Sequence, residues 1–562
     1  MLYEELNPNL DYSRKNLRWD GWGALSEDFF LKEHIGEILE NLANKWALDS
    51  FPKTSGKSWE KIILKKTRLS PNDQKQIQKI IGEENFKIDP YERIFHSAGK
   101  SYYDVLRLRF GLLADYVDAV AYPTNELEIQ KLIEYCSTKN IAIIPFGGGT
   151  SVVGGVEAFK TTQRAILCLD ITKMNAFLEL DIQSRTATFE AGIYGPKLEK
   201  ILNYKGYTLG HFPQSFEYST LGGWVAARSS GQQSSKYGRI DKILVSLKLI
   251  TGRGIIQTAK LPPSAQGPDL NQIIAGSEGL FGIITQVTVK VHPLPQARRY
   301  FGILFPNFER GTEFIREANL KCLKISMLRL SDEDETDLFG TLSSLGKQQS
   351  FSRKLKYKLI DKLLDWNGIG KRKSAMIAGI DASFHEVEEV FPRLKYLAEK
   401  YDGFYAGEGP GKNWLKSRFN MPFLRNYFLE NGIGVDTLET SITYNRIHKL
   451  HQTVKQAIYS VMPKSYVMCH ISHSYHEGAS LYFTIIFTID LDDPIEQWWK
   501  MKKAASDAIF EIGGSISHHH GIGKDHKEWY EKTLGQTTKE GLLALKRTWD
   551  PKDIFNPGKL FH

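Results

Sequence analysis

Cysteine is scarce in this sequence. Of 562 residues only four are cysteine (Cys136, Cys168, Cys322 and Cys469), and none stands in a CxxC spacing. Neither a disulfide framework nor a thiolate metal finger is encoded, and free thiols suit a reducing compartment. Long apolar runs are missing too: nothing approaches the roughly 18–20 residues of a membrane span. The Met1–Glu5 start is acidic and lacks the apolar core of a secretory leader, so a cytoplasmic location is expected. A net charge of +8 permits contact with anionic ligands or a membrane surface and does not point to nucleic acid. No segment repeats at a fixed period. With 41% hydrophobic residues over this length, the chain can bury cores for two to four domains.

Glycine, by contrast, is concentrated. An apolar strand, Ile141–Ile144, runs into Pro145 and Phe146, then Gly147, Gly148 and Gly149, then Thr150 and Ser151. Glycine lacks a Cβ and accepts positive φ, so successive backbone N–H groups can converge on an anion. The two hydroxyls add donors, and a phosphate or pyrophosphate is the expected guest. The run has no lysine, which excludes the GxxxxGK[ST] phosphate loop. The Val152–Val156 stretch after it does not open a helix, which makes it a poor dinucleotide fingerprint. Many glycine-rich runs are plain tight turns, so this reading needs distant segments to complete a site.

Residues 1–115 mix charge with helical patterning. Ser26–Leu42 reads as a helix behind a serine cap, and the two tryptophans of Leu17–Gly23 read as an anchor packing the N-terminal arm onto the body. A strand–helix–strand pattern then begins: strand Asp118–Tyr122, helix Glu126–Thr138 after a Pro-Thr-Asn start, and the strand of the glycine run. Ala165–Leu169, Thr186–Gly192 and Ile243–Ile250 are further strands, and Pro196 opens a helix closing near Gly206. Gly210–Gly231 is dense in small and hydroxyl residues, which suits a backbone lying against a flat polar ligand. Ala275–Thr285 is a second glycine-punctuated segment, followed by the strand Val287–Val291 and a proline-rich exit at His292–Pro295. Strands are expected at Gly302–Phe305, Ser326–Leu330 and Leu481–Ile489. The expected divisions are an N-terminal helical region over 1–115, a ligand-binding domain over 116–295, a second domain over 296–505 and a closing segment over 506–562. Residues 347–373 interleave Lys354, Lys356, Lys358 and Lys362 with Leu355, Leu359, Leu363 and Trp366. They read either as a basic amphipathic helix lying on an anionic membrane or as an ordinary solvated surface helix.

Seven of the fifteen histidines lie between His470 and His526. A metal centre is not expected: the nearby Glu477 has no ligand spacing, and three consecutive histidines along a strand cannot face one point. The imidazoles are read instead as donors to an anionic substrate or as proton shuttles beside a cofactor.

Several motifs together are specific. Pro145–Ser151, Gly222-Gly223, Gly276–Ile284 and Asn556-Pro-Gly558 resemble the vanillyl-alcohol-oxidase type of FAD flavoprotein. Arg18–Gly23, His211 and Ser517–Gly521 extend a resemblance to the alkyldihydroxyacetonephosphate synthase family over nearly the whole chain. The resemblance implies an α+β fold: a two-part FAD-binding domain completed by the C-terminal segment, a central antiparallel-sheet cap, and the N-terminal helical region. It places FAD, held non-covalently, against Pro145, Phe146, Gly147, Gly148, Gly149, Thr150 and Ser151. The same carry-over adds Gln214, Ser215, Phe216, Glu217, Tyr218, Ser219 and Thr220, then Ala227, Arg228, Ser229 and Ser230. Glu278, Gly279, Leu280, Phe281, Gly282, Ile283 and Ile284 complete the set. It further implies a redox-neutral exchange of the acyl group of acyl-dihydroxyacetone phosphate for a long-chain fatty alcohol, with flavin N5 as nucleophile. Tyr482 matches the family's acid/base, and a neighbouring positive charge is expected to help it ionise. Arg425 matches the phosphate-binding arginine, since a guanidinium fork suits phosphate oxygens. Arg329, His211 and His520 match residues needed for activity, and His518 and His519 are expected at the substrate. The expected partners are lipid substrates, a second copy of the chain in a homodimer, and a membrane surface met through 347–373.

The sequence departs from the family where Phe212 and Gln214 replace carboxylates, where His470 replaces an arginine, and where no peroxisomal address is seen. The rival reading is an FAD-dependent dehydrogenase of a D-2-hydroxy acid, a group that resembles this chain but carries a glutamate where His519 stands. A colourless, non-enzymatic basic protein binding nucleic acid or membranes is the reading from another class.

Overall fold

The computed structural model describes residues 10–28, 32–46, 51, 53–54, 56–344 and 368–561. Ile141, Ala142, Ile143 and Ile144 are all fully buried, the mark of a strand covered on both faces. Their strand, Ile141–Phe146, pairs in parallel with Ala165–Asp170, which pairs in parallel with Ala119–Ala121 and through it with Phe86–Lys87. The crossover helix Glu126–Lys139 is capped by Asn125, whose side chain accepts from the Glu128 amide at 3.0 Å, and it buries Ile129, Leu132, Ile133 and Cys136. A second, antiparallel sheet runs in the order Phe177–Asp181, Thr186–Glu190, Ile283–Lys290, Leu244–Thr251, Gly254–Gln257. Both sheets share one apolar core with the C-terminal Ile554, Phe555, Leu560 and Phe561.

The C-terminal segment joins the glycine-run strand directly. Ile143 donates its amide to the Ile554 carbonyl at 2.7 Å, and Asn556 donates back to Ile143 at 2.9 Å. The expected two-part construction of the FAD domain is therefore built by backbone pairing across some four hundred residues of sequence. A seven-stranded sheet, antiparallel throughout, forms the cap, ordered Phe404–Gly407, Ala297–Phe305, Ser374–Ala382, Met327–Ser331, Ser465–Ser474, Gly478–Thr488, Ile433–Thr443. Helices pack on it around a second core. A third core joins Leu17, Trp19 and Trp22 of the N-terminal arm to Ile144 and Phe146 on one side and to Phe423, Leu424 and Met468 of the cap on the other.

Some elements sit differently from their sequence-based placement. The first α-helix spans Ile35–Trp46 behind a short 3₁₀ turn at Lys32–His34, and Ser26 lies in a turn rather than at a helix cap. The helix Pro494–Ile512 runs through position 505 without a break. The basic stretch at 347–373 lies almost wholly outside the described residues; of its end, Arg372 pairs with Asp334 at 3.0 Å. All four cysteines are free thiols, and among the described residues no helix is long and apolar enough to cross a membrane.

Candidate active site

Four separate turns meet in one cradle. A Cβ on Gly147 would come within 2.3 Å of Thr220 Oγ1, one on Gly148 within 1.8 Å of the Tyr218 carbonyl, and one on Gly279 within 2.6 Å of Pro145 Cγ. The Glu278 amide donates to the Ala226 carbonyl at 2.9 Å. The stretches 145–151, 214–220, 226–230 and 278–284 are thus in mutual contact, and the glycines are there because their backbones touch. Gly149 has a φ of +71°, a conformation that glycine adopts without strain. Among the described residues, the amides of Gly147, Gly148, Gly149, Thr150 and Ser151 donate to no protein acceptor. A buried or half-buried run of unused N–H groups needs an anionic partner, and the pyrophosphate of FAD fits it.

Other members of the expected set hold the cradle rather than face a ligand. The Glu278 carboxylate accepts from the amides of Ile522 at 2.6 Å and Gly523 at 2.9 Å, fastening the C-terminal segment; burial pushes its pKa up to about 7. Leu280, Phe281 and Ile283 are core residues, and Ile284 is nearly so. Phe216 packs on Phe212, Trp224 and Phe419. Tyr218 donates to Glu27 Oε2 at 2.6 Å and receives the Ala24 amide at 3.1 Å. Glu217 is buried enough that its carboxyl rises to about 7. Gln214 donates to the Arg418 carbonyl at 2.6 Å. Ser219 accepts the Trp224 indole N–H at 2.7 Å, and Arg228 adopts the left-handed conformation that ends the Leu221–Ala227 helix.

Facing the cradle, the cap presents a wall of rings. His470 stacks on Tyr482 at 4.9 Å, His519 stacks on it at 6.0 Å, and His520 meets it edge-on at 5.5 Å. His470 Nδ1 lies 2.8 Å from Glu335 Oε1 and 3.1 Å from Arg329 Nη2, so Arg329 reaches Tyr482 through His470. Arg425 is partly buried, and among the described residues its Nε, closed to solvent, has no hydrogen-bond partner, which leaves that N–H able to take an anion. His211 sits on the cradle side, packed on Trp224 with Nε2 2.8 Å from Ser229 Oγ, and among the described residues its Nδ1 has no partner. Burial brings its pKa down to about 3.

Tyr482 corrects one expectation. Arg425 and a hydrogen bond with Thr437 do favour its phenolate, but burial outweighs them and pushes the pKa up to about 12. The phenol is protonated at neutral pH. His519 falls to about 4, chiefly through burial, and its ring is neutral there.

The histidine run departs from its expected strand. Ser515–Gly521 is a chain of bends, and two of its three imidazoles, His518 and His519, converge with His473. One nitrogen from each of His473, His518 and His519 lies within 4.8 Å of the other two. His518 Nδ1 and His519 Nδ1 are 3.0 Å apart, so one of the two carries a proton that it donates to the other. His518 Nε2 is 2.6 Å from the Tyr475 hydroxyl, and His473 Nε2 is 3.0 Å from the Gly231 carbonyl.

The bends are folded around Glu439, which the sequence did not single out. Its carboxylate, fully buried, accepts from Ser517 Oγ at 2.7 Å and from the amides of His518 at 2.6 Å, His519 at 3.0 Å and His520 at 2.8 Å. Burial works against its ionisation, yet the imidazoles of His519, His520 and His518 and the Ser517 hydroxyl bring its pKa well below the ordinary value. Because His519 is neutral at pH 7, the hydrogen bonds carry the carboxylate there. Glu439 stands directly across the sheet from Tyr482; its only sequence signal is an acid in the middle of a strand. Arg14 was likewise missed. It is buried, with Nη2 donating to the Gly147 carbonyl at 2.7 Å and to Asp170 Oδ2 at 2.6 Å.

Comparison with known proteins agrees with this geometry. The FAD binding domain family matches residues 117–260, and the family of FAD linked oxidases, C-terminal domain, matches residues 294–560. The chain is 32% identical to an alkyldihydroxyacetonephosphate synthase of Trypanosoma brucei brucei, spanning 97% of this chain and 92% of the relative. It is 33% identical to the synthase of Dictyostelium discoideum, over 89% of this chain and 82% of the relative. A solved alkyldihydroxyacetonephosphate synthase structure superposes with a TM-score of 0.82 at 29% identity, covering 98% of each chain. The cofactor of the chain is FAD, and the chain belongs to the alkyldihydroxyacetonephosphate synthase family of FAD-linked flavoproteins.

Proposed function

We propose that this chain exchanges the acyl group of acyl-dihydroxyacetone phosphate for a long-chain alcohol, giving the ether-linked product and a fatty acid without net oxidation. The observation that carries the reading beyond family membership is the pairing of Arg425, a guanidinium with an unpartnered Nε, with Tyr482, a protonated phenol enclosed by imidazoles. Residues 145–151 would hold FAD with no histidine in that run to tether it, and when bound the flavin would supply a nucleophilic ring nitrogen. Arg425 takes the phosphate as a fork of charge-assisted hydrogen bonds. Tyr482 gives its proton to the departing acid and takes one back from the incoming alcohol, and the nearby Arg425 charge favours the phenolate between these events. His519 and His520, neutral at pH 7, orient that ring and exclude water from it.

The test is incubation of the purified holoenzyme with acyl-dihydroxyacetone phosphate and labelled fatty alcohol. Label in an alkali-stable lipid, with release of one fatty acid per turnover, is the expected result. Label that stays alkali-labile would overturn the synthase reading, and flavin bleached anaerobically by a D-2-hydroxy acid would assign the dehydrogenase reading.

A further inference from the structure

The two-tryptophan loop of the N-terminal arm has no place in the chemistry above, yet it lies between the two halves of the site. Leu17 and Ala24 form an antiparallel bridge, and Arg18 N donates to the Gly23 carbonyl at 2.9 Å, so the loop is a closed unit. One side of it is fastened to the flavin-holding body. Lys100 Nζ donates to the carbonyls of Arg18 at 2.7 Å and Trp19 at 3.0 Å, and Tyr91 donates to the Leu17 carbonyl at 2.8 Å. Lys100 is itself tied to the glycine-rich segment, its amide donating to the Ser151 carbonyl at 2.7 Å.

The other side grips the helix Met421–Glu430, which carries Arg425. The Asn426 side chain accepts the Trp22 amide at 2.8 Å and donates to the Trp22 carbonyl at 3.0 Å, pairing with that residue as a strand neighbour would. Both glycines of the loop are demanded by this contact. A Cβ on Gly21 would lie 2.6 Å from Asn426 Oδ1, and one on Gly23, at φ +87°, would lie 2.2 Å from the Phe423 ring. Arg425, with its Nε unpartnered, has little of its own to fix where it points. Its place relative to the cradle is inherited from the helix.

We propose that the Trp19–Gly23 loop, acting through Asn426, is a positioning element that sets the distance between the flavin cradle and the Arg425 guanidinium. The inference rests on the reading of Arg425 as the phosphate-binding group. Asn426 does not touch substrate; its effect passes through its neighbour. Losing the paired hydrogen bonds lets the helix shift, and an anion site of fixed geometry weakens before the flavin site does.

The test compares Asn426→Ala, Asn426→Asp and Arg425→Ala in the flavin-loaded enzyme, using acyl-dihydroxyacetone phosphate as substrate and inorganic phosphate as competitive inhibitor. Asn426→Ala is expected to raise KM and the phosphate inhibition constant about tenfold each, the loss of one to two neutral hydrogen bonds, with kcat and bound flavin nearly unchanged. Asn426→Asp keeps the acceptor for the Trp22 amide and should recover part of the loss. On an Arg425→Ala background, Asn426→Ala should add nothing further. If Asn426→Ala acts fully on that background, or lowers kcat and flavin content with KM intact, the loop is merely structural and the proposal fails. If Arg425→Ala leaves phosphate inhibition unchanged, the reading of Arg425 itself falls. Should Asn426→Ala not fold, Gly21→Ala, which displaces the Asn426 amide by contact, carries the same expectations and the same overturning outcome.

Discussion

The two faces of the site are built by opposite means. The cradle is made of backbone: unused amides at Gly147–Ser151, close turns, and side chains such as Glu278 that hold other turns in place. The cap wall is made of side chains, with Tyr482 among His470, His519 and His520 and a buried Glu439 beneath them. A cofactor that stays put needs shape and a steady anion site, which backbone supplies without titrating. Proton movement needs groups whose charge can change, and those must be side chains with environments that set their pKa. Damage to one face should therefore leave the other measurable.

The widest separation is expected from Gly148→Ala. Its Cβ would stand 1.8 Å from the Tyr218 carbonyl, a backbone atom with nowhere to go. The variant should purify without its yellow colour and without activity, while the cap keeps its fold; stoichiometric flavin in that variant would show that the amide run is not the cofactor's anchor. Tyr482→Phe tests the other face. Exchange should fall by about 10²- to 10⁴-fold, the usual worth of a positioned acid/base, with flavin content and melting temperature as in the parent. Full exchange would remove the phenol from the mechanism.

Glu439→Gln sharpens the comparison further, since it removes charge from the anchor of the histidine bends and keeps its shape. Bonds to a charged acceptor are worth about 1.5–3 kcal/mol each, and a loss of about 2 kcal/mol in unfolding free energy is expected, with exchange reduced and flavin retained. Chemical denaturation followed by separate flavin and tryptophan signals measures both. The last comparison is acid sensitivity. His519 is pushed down to about 4 and His211 to about 3, below the unfolded value of about 6.5. The unfolded chain therefore binds more protons in acid. Stability is complete above pH 6.5 and falls as the pH drops toward those values, by about 1.4 kcal/mol per pH unit for each ring. His211→Asn should flatten the slope of melting temperature between pH 6.5 and 4.5; an unaltered slope would mean that His211 is not held neutral.

Much of the cradle could be read in advance, because its requirements are local. Three glycines after Pro145 and Phe146, small residues through Gly210–Gly231 and the Gly276–Gly282 segment each announce a backbone in an unusual place. The strands around them showed in continuous apolar runs, and their ends fell within a few residues. The cap wall was legible only as residue types matched to a family. That Ser515–Gly521 bends, that Glu439 gathers its amides, and that His473 joins His518 and His519 all depend on chains meeting from far apart. The tryptophans of Leu17–Gly23 were read as an anchor; what they anchor, the stretch Phe423–Asn426 of the helix that carries Arg425, needed the structure.

Where the backbone must turn tightly, and which residue types are at hand, is thus written locally in the chain, since φ preference, missing Cβ atoms and apolar periodicity belong to each residue and its nearest neighbours. Which charges are tolerable is settled by packing between distant segments. Burial sums over atoms from distant segments: it raises Tyr482 to about 12 despite a nearby guanidinium, and it makes imidazoles neutral that sequence alone would let titrate near pH 6.5.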